Sequence, residues 1–192
     1  SVTLTSGEKI VGDMLITGIG VFPDSKLAAN AGIETQRKDG GAILVDEAMR
    51  TSDKDVFAVG DVALRRDQLL AIESVHNAQE TAAVAAAAIT GSITPTLQTP
   101  WFWSDQYDVK LQSVGVVPIN DDDVYQVARP GKREGAVSFW SYRGDDLVAV
   151  EVVNDPATYM EARQCLDTKQ YPEPEQISNP SFSPIDSGGA RS

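Results

Sequence analysis

The stretch Val56-Phe57-Ala58-Val59-Gly60-Asp61 decides how this sequence is interpreted. Its apolar residues predict a buried strand over 55–59 that delivers a carboxylate to the carboxyl edge of a sheet, where α/β folds bind ligands. Gly60 would let a ligand approach the backbone, and Asp61 could accept hydrogen bonds from sugar-alcohol hydroxyls. Taken alone, a Gly-Asp pair after a strand is more often a simple turn.

Upstream of this stretch the sequence predicts short strands and one short helix. The strands are predicted over 2–5, 9–11, 13–16 and 42–45. A helix is predicted over 27–31, stopped by Gly32. A hairpin such as the first one is not stable alone, and the chain opens at Ser1 rather than at a methionine. We therefore expect a fragment of a longer protein.

Downstream, the alanine-rich run 77–90 predicts a helix with Gly91 as its left-handed C-cap. Its side chains are so small that the helix must pack close to a sheet or a bound ligand. Ala78, Ala82 and Ala86 would form the face that permits this approach.

After Pro100 the chain changes to short β-rich runs with Asp and Gly turns, including one over 120–123, as in an antiparallel meander. The runs are 109–117, 124–129, 136–142 and 147–153. Asp155-Pro156 supplies an N-cap and a first-turn proline for a helix to about Thr168. Residues 171–192 contain four prolines and five serines, and predict an extended or disordered tail.

Composition excludes several classes of function. The 192 residues are 42% hydrophobic and 23% charged, which is typical of one globular domain or two small ones. The net charge of −12, divided as −5 over 1–99 and −7 over 100–192, would repel nucleic acids and anionic membranes. The longest apolar run, 82–89, falls far short of the roughly 20 residues of a membrane span. We expect a cytoplasmic protein.

One cysteine and one histidine limit the chemistry further. Cys165 can close no internal disulfide and is expected to be semi-buried, and with His76 alone the chain cannot assemble a Cys/His zinc set. His76 lies beside no nucleophile elbow, so we expect it to form hydrogen bonds at a helix end. Asp121-Asp122-Asp123 lacks the spaced ligands of a calcium loop and predicts a solvated turn. We predict no metal site and no catalytic side chain.

Three further segments complete a more specific pattern. They are Thr51-Ser52, Glu73-Ser74-Val75-His76-Asn77-Ala78 and Pro100-Trp101-Phe102-Trp103-Ser104-Asp105-Gln106. With 56–61, they make the chain resemble the ferredoxin, rubredoxin and putidaredoxin reductases over about residues 1 to 170. These are FAD-dependent pyridine-nucleotide oxidoreductases, and the family includes reductase components of aromatic-ring dioxygenases.

The resemblance implies roles for individual residues. Asp61 would hold the ribityl chain of FAD, Val75 would offer its backbone amide to the flavin pyrimidine edge, and Trp103 would lie near the flavin or the redox partner. The full set of predicted cofactor-binding residues is Gly60, Asp61, Glu73, Ser74, Val75 and Trp103. FAD and NAD(P)H are the implied cofactors and a ferredoxin-type iron-sulfur protein the implied partner, with a homodimer left open.

The physical properties of two segments agree with these roles. A helix opening at Val75 and His76 would place positive potential where negative charge grows on flavin reduction. Trp101 and Trp103 alternate, so an extended backbone sends both to the same face, while Phe102 is expected to anchor the core of the second domain.

The resemblance also implies the fold class, α/β plus α+β. The rear part of an FAD/NAD(P)-binding Rossmann-like fold would be followed by a carboxy-terminal α+β reductase interface domain with an antiparallel sheet. Residues 1–22 would end the NAD(P)H-binding domain, 23–98 the FAD-binding domain, and 99–170 would form the interface domain, followed by a flexible tail at 171–192.

The sequence departs from the family in its glycine-rich loops. Neither Gly-x-Gly-x-x-Gly loop is present, and Gly18-Ile19-Gly20 does not replace one, so the chain alone is expected to be inactive. A non-catalytic docking module derived from such a reductase is the alternative. The absence of Cys-x-x-Cys favours a one-electron protein acceptor. Arg129, Lys132 and Arg133 form the local basic cluster of an otherwise acidic second half.

Overall fold

The computed structural model describes residues 1–37, 40–117, 121–179 and 181–184. The strands in these ranges are β1 Val2–Thr3, β2 Lys9–Ile10, β3 Thr35–Arg37, β4 Gly40–Val45, β5 Ala63–Arg65, β6 Trp101–Gln106, β7 Val109–Gly115, β8 Val124–Pro130, β9 Val137–Arg143 and β10 Asp146–Val153. The helices are α1 Lys26–Asn30, α2 Val75–Thr90, α3 Pro156–Thr168 and α4 Pro174–Ile177, with a 3₁₀ turn at Gly60–Val62. None of the helices in these ranges is long and apolar enough to cross a membrane.

The amino-terminal hairpin confirms the first predicted pair of strands. β1 and β2 are antiparallel, with Val2 opposite Ile10. The strand predicted at 13–16 is wrong, because residues 11–25 form neither strand nor helix in the described structure. A strand needs a neighbour to bond its backbone groups, and this segment pairs with none of the described strands. The side chains of residues 13–16 are exposed, that of Ile16 at 87%.

A three-stranded sheet in the order β3-β4-β5 forms the first core. β3 and β4 are antiparallel, whereas β4 and β5 are parallel, with Ile43 opposite Ala63. The buried residues packed around it and under α2 are Val45, Met49, Ala58, Ala63, Val84 and Ala85. The strand predicted at 42–45 is therefore confirmed within β4.

The strand predicted at 55–59 is wrong. Phe57 makes only a single bridge, to Arg50, and the Ala58 N–H donates to the Met49 carbonyl at 3.2 Å. The apolar run therefore packs against its own preceding turn instead of joining β4. On the side away from β3, β4 pairs with β5, which begins after Asp61, so the Gly-Asp pair precedes a strand rather than ending one.

The central helix α2 begins two residues before its predicted start and ends where predicted. Ser74 Oγ accepts the N–H of Asn77 at 3.1 Å, and Gly91 closes the helix with φ of 68°. The predicted close-packing face is confirmed at Ala78, which lies against Gly60, and is wrong at Ala82 and Ala86, which are exposed. The helix buries Val84 and Ala85 instead, because the small sheet lies under that side.

The second half forms a five-stranded antiparallel sheet in the order β6-β7-β10-β9-β8. The four predicted strands are present, but the meander holds only for β8 to β10, because β7 pairs with β10. β6 was not predicted as a strand. The helix predicted after Asp155 is α3, and Asp155 Oδ1 accepts the Thr158 N–H at 3.3 Å. Of the turn predicted over 120–123, Asn120 lies outside the described residues.

The segment after α3 is packed, so the prediction of an extended or disordered tail is wrong for its described part. Ile177 of α4 is fully buried, and the Tyr142 hydroxyl donates to the Pro172 carbonyl at 3.0 Å. Arg129 Nη2 donates to the Phe182 carbonyl at 2.5 Å. Arg129 is only 7% exposed, so this member of the local basic cluster with Lys132 and Arg133 does not contribute to the surface. Residues 185–192 of the predicted tail lie outside the described ranges.

Cys165 is buried more deeply than predicted, at 3% exposed, and this gives a test of the packed carboxy-terminal segment. Its Sγ lies 3.9 Å from the Pro184 carbonyl oxygen, and burial, with Glu161 adding to it, raises the thiol pKa to about 11. At pH 8 the thiolate fraction should be about a hundredfold below that of an ordinary cysteine, so labelling by a chromogenic disulfide should be slow. Labelling at a free-thiol rate without denaturant would contradict the packing.

Candidate functional site

The Gly60-Asp61 turn sits on the first turns of α2. Gly60 is buried with φ of 71°, and its N–H donates to Thr81 Oγ1 at 2.9 Å. A Cβ placed on Gly60 would lie 3.6 Å from the Ala78 Cβ, so turn and helix are in close approach. Asp61 follows on the exposed side. The carboxylate is thus presented by a 3₁₀ turn anchored to a helix, and not by the strand end that the pattern predicted.

The amino-terminal end of α2 is accessible beside this turn. Val75, its first residue, is 56% exposed, and Glu73 is exposed just before it. The first N–H groups of a helix have no acceptor within the helix and carry its positive potential. Ser74 Oγ is already engaged as the N-cap acceptor for Asn77, so its side chain supports the helix end.

The aromatic residues of β6 lie close to the same helix. The His76 ring centroid is 5.2 Å from that of Trp101, and Trp101 is 5.4 Å from Trp103, as the predicted alternation requires. Trp103 is 40% exposed. Phe102, predicted as a core anchor, is 43% exposed, because β6 turns it to the opposite face of an edge strand.

His76 is buried at the second position of α2, and the hydrogen bonding expected of it at this helix end stays a prediction. Its Nε2 is 3.6 Å from Glu80 Oε1, one turn later. The Arg163 guanidinium of α3 lies 6.0 Å from the centre of the Trp101 ring, within cation–π range. Charged groups from both halves of the chain therefore meet around Trp101.

No cluster of metal ligands is found within the ranges that the structure describes. In the run Asp121-Asp122-Asp123, the first carboxylate accepts hydrogen bonds from the Arg143 side chain and the Asp123 N–H. The Arg143 bond, followed by that backbone bond, lowers the pKa of Asp121. The run forms the predicted turn.

Two positions that hold neighbouring segments in place escaped the sequence patterns. Thr81, which anchors Gly60, stands out only as a polar residue inside an alanine run. Gln98 lies in a proline-flanked linker, where nothing in the sequence distinguishes it from a solvated residue. Of the six predicted binding residues, the structure brings Gly60 and Asp61 to the helix that Val75 opens, and links Trp103 to that helix through Trp101.

Comparisons with known proteins cover both halves. Residues 1–82 match the pyridine nucleotide-disulphide oxidoreductase family, and residues 101–184 match the reductase C-terminal family. Rhodocoxin reductase of Rhodococcus erythropolis is 39% identical over 185 residues, which are 94% of this chain and 42% of that protein.

Two solved structures are similar over nearly the whole chain. A ferredoxin reductase from Rhodopseudomonas palustris has a TM-score of 0.83 at 34% identity, covering 97% of this chain and 46% of that one. A covalent putidaredoxin reductase–putidaredoxin complex has a TM-score of 0.82 at 31% identity, covering 95% and 43%. The chain thus spans less than half the length of the relatives it matches.

Proposed function

This chain belongs to the pyridine nucleotide-disulphide oxidoreductases of the ferredoxin, rubredoxin and putidaredoxin reductase type, and on that premise we propose that it works within an NAD(P)H-dependent flavoprotein. In the proposed reaction, electrons from NAD(P)H pass through FAD to a ferredoxin-type iron-sulfur protein. The relative captured with putidaredoxin supports an iron-sulfur partner. A cytoplasmic location and a homodimer belong to the same proposal.

One arrangement supports this proposal above all others: the exposed Asp61 carboxylate next to a helix N-terminus and an indole pair. Gly60 approaches α2 so closely that the turn is fixed, while Asp61 and Val75 remain accessible. A polyhydroxyl chain, a hydrogen-bonding heterocycle edge and a flat ring system are the features that such a surface suits. The residues present therefore fit FAD.

Each residue would have a distinct role toward the cofactor. Asp61 would accept a hydrogen bond from a ribityl hydroxyl, and the Val75 N–H would donate to the pyrimidine edge of the flavin. The end of α2 would favour negative charge near its first amides. Trp103 would cover the ring system and exclude water beside it. FAD, when bound, supplies a redox group that takes up a hydride and releases electrons singly.

The experiment is a chimera in which residues 1–192 replace the matched segment of rhodocoxin reductase. We expect the purified chimera to retain FAD, seen by its visible absorbance, and to reduce a ferredoxin-type acceptor with NADH. The 192-residue chain alone is expected to hold little FAD, since it lacks both glycine-rich loops. A folded chimera without FAD would contradict the proposal, and acceptor binding by that flavin-free chimera would favour the docking-module alternative.

A further inference from the structure

A closed ring of contacts joins the two halves of the chain around a cavity of about 400 Å³. Its members are His76 and Glu80 of α2, Gln98 of the linker, Trp101 of β6 and Arg163 of α3. The ring differs from the proposed cofactor surface, since none of its members is among the residues assigned to FAD. Gln98, the linker residue of the ring, connects the two halves.

Gln98 is held on both sides. Its N–H donates to Glu80 Oε1 at 2.8 Å, and its side-chain Oε1 accepts from Arg163 Nη2 at 3.0 Å. Thr99 also attaches the linker to α3, because its Oγ1 donates to Asp167 Oδ1 at 2.7 Å. Residues 91–100 contain neither helix nor strand, so these bonds, together with the Gly115 N–H that donates to the Pro100 carbonyl at 2.8 Å, determine the path of the linker between α2 and β6.

The remaining contacts of the ring lead to the indoles. Trp101 follows Gln98 by three residues and contacts two members of the ring. Its ring centroid lies 5.2 Å from that of His76 and 6.0 Å from the Arg163 guanidinium carbon. Trp103 lies against Trp101 at 5.4 Å. Trp101 and Trp103 belong to β6, whose pairing with β7 holds their backbones, so displacement of the linker would loosen the Trp101 indole first and then the Trp103 indole that lies against it.

The bonds of the ring differ in strength. His76 Nε2 and Glu80 Oε1 are 3.6 Å apart, beyond hydrogen-bond distance, and the Arg163 guanidinium is 6.0 Å from the centre of the Trp101 ring. The Glu80 side chain is only 20% exposed, and its bond to the Gln98 N–H is charge-assisted. The attachment of Gln98 to Glu80 and Arg163 thus dominates the ring.

We propose that Gln98, together with Glu80, is a positioning residue that fixes the Trp101–Trp103 pair by clamping the linker between α2 and α3. The clamp acts on this chain's own residues and needs no cofactor. Its test on the 192-residue chain can therefore fail while the proposed function stands, and the reverse also holds.

The test measures how accessible the indoles are to acrylamide, a neutral quencher of tryptophan fluorescence. Trp140 is fully buried, so quenching reports on Trp101 and Trp103. Loss of one hydrogen bond should raise the population with a released linker roughly fivefold, so Gln98→Ala and Glu80→Ala should both increase the quenching constant. Glu80→Gln keeps an acceptor for the Gln98 N–H but not its charge, so its quenching constant should lie between that of the parent and that of Glu80→Ala.

The matched control is Gln79→Ala. Gln79 lines the same cavity from the same helix but is not a member of the ring, so its removal should leave quenching unchanged. The proposal is overturned if Gln98→Ala quenches like the unmodified chain, if Gln79→Ala quenches as much as Gln98→Ala, or if Glu80→Gln behaves like Glu80→Ala. Gln98 is exposed, so Gln98→Ala should keep the far-ultraviolet circular dichroism of the parent. If Glu80→Ala unfolds, the result for Gln98→Ala decides the test.

Discussion

Asp61→Ala in the rhodocoxin reductase chimera is expected to weaken FAD retention strongly. A carboxylate that accepts a hydroxyl hydrogen bond contributes about 1.5 to 3 kcal/mol, which corresponds to a roughly tenfold to hundredfold rise in the dissociation constant. Asp61 is exposed in its 3₁₀ turn, so its removal should leave the fold intact. Bound FAD per protein after dialysis, measured with the melting temperature, gives the result.

The control for this change is Asp55→Ala. Asp55 is an exposed carboxylate six residues earlier that forms a surface ion pair with Lys54 at 3.3 Å. Its substitution removes the same charge as Asp61→Ala but changes no residue of the proposed site. FAD occupancy should be unaffected in this variant. Full FAD occupancy in Asp61→Ala together with a lowered melting temperature would show that Asp61 does not bind the cofactor. Its role would then be structural, in the turn that precedes β5.

Gly115→Ala should be the most destabilising small substitution in the second half. Gly115 ends β7 with φ of 81°, and a Cβ there would lie 2.2 Å from the Val148 carbonyl oxygen and 2.8 Å from the Ala149 Cα. Both atoms belong to the backbone of β10, the central strand, and cannot move without breaking the β7–β10 pairing. The chemical denaturation midpoint should fall markedly.

Gly144→Ala separates the contact from the backbone angle. Gly144 also has a positive φ, 59°, but a Cβ there meets nothing within 4 Å. We expect about 1 kcal/mol of destabilisation from the angle alone at Gly144. At Gly115 the forced contact should add about 2 to 3 kcal/mol to that figure. Equal midpoints for the two variants in urea would show that β10 accommodates the added methyl group.

Elements with local causes could be predicted from the sequence. Alanine propensity, the Ser74 cap and Gly91 are enough to define α2, and Asp155-Pro156 is enough to begin α3. Caps and helix propensity act within a few residues along the chain, so they can be read directly. The positions Gly60, Asp61, Val75 and Trp103 came from the family resemblance, and their roles toward FAD stay predictions.

The pairing of extended segments and the partners of polar side chains depend on residues that are distant in the sequence and that the fold brings together. Residues 55–59 have a strand pattern, but β4 pairs with β5, since a strand is completed by a distant neighbour. The same reason separates β7 from its expected neighbour β8, exposes Phe102 on the edge strand and buries Arg129 beneath the carboxy-terminal segment. The clamp at Gln98 joins atoms up to 65 residues apart, and no local pattern encodes such a contact.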